Sequence, residues 1–355
     1  MQRPVYRFRW LLLAAVLMLP LPPALAQEAP DVAQVSDVAP MVDEDAVPSR
    51  DEVTVLDTLV VSGTMPGPGM WKVRRDGHTL WILGTLQPVA RRMEWESEAV
   101  ERQMAASSRI LLPPSVKFDL GMGRFRTLLL VPRMLGARKN PDGEKLVDQV
   151  PAEDYARWLV LKKKYLGRDR GVEKRRPIFA AGDLYQAAVE KSGLQFKGLV
   201  SPLVEKVTKR HAIATYRPRI ELSIADPKAA IRAFRDTAID DVACFRKTLD
   251  HLEADLAKMR IRANAWARGD MLTLREITYE DQSQTCMDAV LESRFAQEQG
   301  IDDLPERLEA AWLEAAEETI AGHETSFAAL PISRLVAADG YLAKLAARGY
   351  EIESP

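Results

Sequence analysis

Four histidines and two cysteines are all the imidazole and thiol chemistry this chain carries. His323-Glu324 follows Gly322, but no second histidine stands four residues on, so the helix spacing of a zinc protease is missing. His78 falls in a hairpin turn, His211 within Lys-Arg-His, and His251 after Asp250 on an amphipathic stretch. Each reads as a surface or helix-face histidine rather than a ligand. A relocated hydrolytic site would have to draw on His323, Glu324 or His78. The chain has no Gly-x-Ser-x-Gly elbow, phosphate loop or dinucleotide fingerprint. In an oxidising compartment Cys244 and Cys286 most simply form one disulfide, with two buried free thiols as the rival. A bond would close a loop of about forty residues, worth roughly 3–4 kcal/mol on the chain-entropy estimate.

One charge cluster has a functional reading. Lys162, Lys163, Lys164, Arg168, Arg170, Lys174, Arg175 and Arg176 could face an anionic surface such as lipid head groups or a glycan. Asp169 and Glu173 interleave them, which favours an ordinary solvated helix face and turn.

The elements that must position any site are those of a normal globular chain of 355 residues, 47% hydrophobic and 28% charged. Collagen, coiled-coil rods and wholly disordered chains are excluded. Lys+Arg 49 against Asp+Glu 51 leaves no basic excess, so nucleic acid is not expected as a partner. The low His and Cys counts exclude zinc-finger, iron–sulfur and disulfide-dense scaffolds.

The first 26 residues read as a secretory signal. Arg3, Arg7 and Arg9 precede an apolar core over Trp10–Leu21, and Ala24-Leu25-Ala26 offers small-x-small cleavage before Gln27. The apolar run is short for a bilayer span, and prolines interrupt its end. The expectation is a periplasmic protein cleaved after Ala26, with no transmembrane span thereafter. Residues 27–69 read as an acidic flexible linker. Within it Val53–Gly63 is a short extended apolar run that reads as an edge strand of this protein's own domain or plain linker, or could add to a partner's sheet edge.

A single domain is expected over residues 70–355. Met70–Arg75 and Thr79–Gly84 read as strands joined at Asp76-Gly77. Trp95–Ala106 has helical spacing and Arg109–Leu112 is a short strand. From residue 150 to 258 the pattern is mainly helical. Helices continue over Asp250–Ala267, Leu272–Thr278, Met287–Glu298 and Leu304–Ile320. A strand over Ser326–Leu330, a helix over Asp339–Arg348 and a strand over Tyr350–Ile352 close the chain. The fold class is therefore α/β (α+β), a central mixed sheet made by the two ends around a long helical middle.

Three stretches together resemble a known family. They are Met70–Gln87, ending Leu-Gly-Thr-Leu-Gln, then Ala265-Trp-Ala-Arg-Gly-Asp270, and Leu335–Tyr350 with its Asp339-Gly-Tyr-Leu. In order and spacing they look like the TraB/GumN family, related to the Tiki metalloproteases, across essentially all of residues 70–355.

The resemblance implies a divalent-metal site in active Tiki-like members. That site is built from two Gly-x-x-His units, a Glu closing a strand, and an Arg often followed by Asn. This chain departs from it. Gly84 is kept, but Gln87 stands where the first His belongs and Pro113 where the Glu belongs. Pro331-Ile-Ser-Arg334 replaces the second Gly-x-x-His, and Arg294 is followed by Phe295. A glutamine offers one weak carbonyl ligand, a proline ring none, and a guanidinium repels a cation. The resemblance therefore implies a non-catalytic, exported envelope protein with no metal or other cofactor. Its partner would be an envelope protein or an anionic ligand. The alternative is a metal-dependent peptidase or hydrolase with an altered site.

Overall fold

Asp76 and Gly77 both hold positive φ (52° and 83°), the backbone of a tight two-residue hairpin turn. They join β1 (Met70–Arg75) to β2 (His78–Thr85), antiparallel, with Arg75 opposite His78. The computed structural model describes residues 67–355 apart from 238, 255 and 278–281. The expected signal segment, and the linker up to residue 66, lie outside the described residues.

Four strands then run parallel. β2 pairs with β9 (Thr325–Pro331), β9 with β4 (Arg109–Leu111), and β4 with β7 (Ala214–Tyr216). With β10 (Glu351–Glu353) on the outer side of β1, the six-stranded order is β10-β1-β2-β9-β4-β7. Both ends of the domain over residues 70–355 meet in one sheet, as the sequence predicts. Parallel strands covered on both faces read as unbroken apolar runs. β9 does so, with Ser326 to Leu330 all buried. The helix Leu304–Gly322 lays Trp312, Leu313, Ala316 and Ile320 into the same core as Trp71, Ile82 and Phe327.

The middle of the chain differs from expectation in holding strands. β7 joins the main sheet. β5 (Ser115–Asp119) and β8 (Arg219–Ser223) make a separate parallel pair, and β3 (Val89–Ala90) pairs with β6 (Leu194–Gln195). All three side chains of β7 are exposed, so no apolar pattern marks it; pairing to β4 alone defines it. The helices around them carry a second core, in which Trp158 of Ala152–Tyr165 meets Phe245 of Asp241–Ala254 at 5.4 Å between ring centres.

Helix is described over Asp241–Ala254 and Leu256–Arg268, on either side of residue 255. Ser293 breaks the expected Met287–Glu298 helix, because its extended backbone and side-chain hydroxyl cap a new helix over Arg294–Gln299. Cys244 and Cys286 stand at disulfide distance, Cα atoms 4.7 Å apart, packed with Ile178 and Phe179.

The basic cluster over 162–176 is partly drawn inward. Lys162 pairs with Glu173 at 2.6 Å, Arg175 with Asp183, and Arg176 with Asp241 at 2.9 Å. Arg176 is buried, so the cluster is not one free basic patch. His251 lies on the expected helix but is buried. No helix among the described residues is long and apolar enough to cross a membrane.

Candidate functional site

Parallel strands deliver their C-terminal ends to one edge, where α/β folds place their sites. Thr85 lies opposite Pro331, and Leu111 opposite both Ala328 and Tyr216. The chain leaving β2 reaches Gln87, that leaving β4 reaches Pro113, that leaving β9 reaches Arg334, and that leaving β7 reaches Arg217. Three of the four residues expected to have replaced family ligands or their neighbours thus share this edge.

Gly84 closes β2 against three side chains. A Cβ there would stand 3.0 Å from Ile332 and 3.1 Å from Trp71, and the Gly84 carbonyl accepts a 2.7 Å hydrogen bond from Trp266 Nε1. Trp95 packs edge-on against Trp266, ring centres 5.6 Å apart. Gly269, at φ +70°, ends the Trp266 helix, and Asp270 caps the next through the Thr273 N–H at 3.0 Å. Its carboxyl is held below the usual range, first by the Thr273 hydroxyl at 2.7 Å.

The side chains at the edge point apart. The Gln87 amide lies over Gly198, where a Cβ would stand 2.8 Å from Nε2. It lines a small cleft with Leu86, Pro88, Met259 and Arg262. The Pro113 carbonyl accepts from Arg217 Nη1 at 2.7 Å. Arg334 turns back to Glu309 at 3.0 Å, a carboxylate that Lys344 also contacts. Arg294 does not join this group through any contact: it is 84% exposed and pairs with Glu298 one turn along its own short helix.

A family model for the TraB/PrgY/gumN family matches residues 69–354. The chain belongs to the TraB/PrgY/gumN family. No curated protein and no solved structure matches it significantly. Within this TraB/PrgY/gumN chain, the helix motif at Ala265–Asp270 and the strand end at Gly84 meet through the Trp266 bond, although 182 residues separate them.

The residues present do not fit a divalent cation. Among the described residues no three His, Cys, Asp or Glu side chains gather into a ligand set. The edge offers one amide, a carbonyl already engaged by Arg217, guanidinium groups, and one carboxylate, Glu309, already paired with Arg334 and Lys344. A tetrahedral or octahedral site needs several converging donors of oxygen, nitrogen or sulfur.

Arg217 and Arg262 were not singled out in the sequence. Arg262 is buried beside Gln87. Arg217 is half-buried, and burial, followed by the nearby Arg219, pushes its guanidinium below the usual arginine range. It has no carboxylate partner among the described residues. Its only cue in the sequence is its place before Pro218, just after a strand too short to show itself.

The histidines named for a relocated site gather at the opposite edge. His78 Nδ1 lies 2.5 Å from the Ile320 carbonyl, so that nitrogen donates. His323 Nδ1 lies 3.1 Å from Ser108 Oγ, and Ser108 Oγ donates to the Thr325 carbonyl at 3.0 Å. The Ser108 hydroxyl is thus within hydrogen-bond reach of both the His323 ring and the Thr325 carbonyl.

Proposed function

We propose that this protein is exported to the periplasm and works there as a non-catalytic binding protein of the bacterial envelope. The C-terminal edge of its parallel strands takes an anionic ligand. The observation that carries this reading is Arg217, a half-buried guanidinium without a carboxylate partner among the described residues, held on the Pro113 carbonyl. An unneutralised guanidinium kept from water favours an anion able to accept its fork of donors. Arg334 adds charge nearby but is tied to Glu309, so its share is smaller. The replacement of the family's ligand positions by Gln87, Pro113 and Arg334 supports the same reading against a metal-dependent peptidase. For the relocated-hydrolase alternative, no group of three His, Cys, Asp or Glu side chains that could hold a metal lies near His78 or His323 among the described residues. Calorimetric titration with inorganic phosphate tests the proposal. Saturable binding is expected, weakened about tenfold or more by Arg217→Gln and less by Arg334→Gln. No saturable heat, or binding that ignores Arg217→Gln, would refute it.

A further inference from the structure

From Leu120 to Pro141 the chain has no Asp or Glu and five basic residues. This stretch forms two short helices, Arg124–Leu128 and Val131–Ala137. A helix of a folded domain ordinarily turns its apolar side chains inward. Here Phe125, Leu128 and Leu129 are 89%, 61% and 68% exposed, and Leu135 is 41% exposed.

The apolar knob is held at both ends. On one side β5 pairs with β8 along its whole length. On the other, Arg138 and Asn140 are buried. The Arg138 guanidinium reaches Asp183 at 3.2 Å and lies over the Phe179 ring, while its carbonyl accepts from the Arg176 N–H at 3.0 Å. The Asn140 N–H donates to the Lys174 carbonyl at 3.0 Å. Leu130 and Ala137 are buried beneath, so the exposed side chains stand on a fixed base.

The segment's own exposed charges are all positive. Arg126, Arg133 and Lys139 are exposed and have no carboxylate partner among the described residues. The Val131–Ala137 helix packs against Pro227–Asp236, where the exposed Lys228 and Arg232 are balanced by Asp226 and Asp236. Large apolar side chains beside cations with no acid in the segment are the features of a surface that lies on anionic lipid. A second copy is disfavoured, because a twofold contact through this patch would set like charges against each other.

We propose that residues 122–135 are a reversible docking surface for an anionic lipid bilayer. Phe125, Leu128 and Leu129 enter the boundary between head groups and acyl chains, and Arg126 and Arg133 meet lipid phosphates. The proposal is independent of the anion reading at the strand edge.

The test is vesicle co-sedimentation of the purified chain, using phosphatidylcholine alone or with about one third phosphatidylglycerol. Binding is expected to the mixed vesicles, weakened by salt and slight on phosphatidylcholine alone. Replacing Phe125, Leu128 and Leu129 together by serine should reduce it about tenfold or more, with an unchanged melting temperature because these side chains are exposed. Arg126→Glu with Arg133→Glu should abolish the preference for phosphatidylglycerol. Wild type and variants share the same N-terminus, so the difference between them reports on the patch. Should the serine variant misfold, Phe125→Trp gives a separate readout: its added fluorescence should shift blue on mixed vesicles. The proposal is overturned if wild type stays in the supernatant, or if the serine variant binds undiminished. It is also overturned if Phe125→Trp shows no blue shift on vesicles that bind the chain. Self-association of wild type that the serine variant loses, without vesicle binding, overturns it too.

Discussion

The indole of Trp266 donates its proton to the carbonyl of Gly84 at 2.7 Å, tying a helix of the second half of the chain to the end of its second strand. Both residues are buried, so neither group has water to fall back on. Trp266→Phe should cost about 2–3 kcal/mol by leaving the Gly84 carbonyl unpaired. Gly84→Ala should cost about 1–3 kcal/mol by pressing a methyl on Ile332 and Trp71. Urea unfolding of each variant checks both; values near zero would remove this contact from the account of how the edge is held.

Asp270 gives a dependence on pH. Its hydrogen bonds from Thr273 lower its folded pKa, so its stabilising contribution is present above the unfolded value and is lost as pH falls through the folded one. Asp270→Asn should therefore destabilise the protein near neutral pH, and its gap to wild type should narrow as pH falls below the ordinary carboxylate range. Unfolding midpoints across that range decide it. A gap that stays constant would mean that the charge of Asp270 contributes nothing.

Cys244 and Cys286 should be linked in protein recovered from an oxidising compartment. Non-reducing peptide mapping should find the pair, and replacing both by Ala should cost about 2–4 kcal/mol. Two freely alkylatable thiols would contradict the expected disulfide.

Export should leave Gln27 as the first residue. Mass spectrometry of the mature N-terminus reads this directly. A chain that retains Met1 in the membrane fraction would show that the first 26 residues are an anchor.

The parts of the fold legible in the sequence are those with strong local or repeating signals. Asp76-Gly77 announces the first hairpin, and the run Ser326–Leu330 announces a strand, which the structure shows to be buried and parallel. The neighbourhood of β2, β9 and β4 was legible through the family resemblance. β7 was not, because its three exposed side chains carry no pattern and its backbone is defined by a partner strand far off in the chain. The same holds for the edge itself. Gln87, Pro113 and Arg334 were found because they depart from a motif, yet Arg334 is spent on Glu309 and Arg294 on Glu298. Arg217 depends on the sheet for its burial, so nothing local distinguishes it from any other arginine before a proline.

On the proposed reading the strand edge takes an anion and not a divalent cation. Thermal melting of the purified protein with phosphate, and separately with Mn²⁺, Co²⁺ or Zn²⁺, tests it most directly, since a ligand raises the midpoint only by binding the native state. Phosphate should raise the midpoint of wild type and leave that of Arg217→Gln in place, while none of the three metals should raise it. A midpoint raised by one stoichiometric metal ion, and no longer raised after Gln87→Ala, would contradict the account.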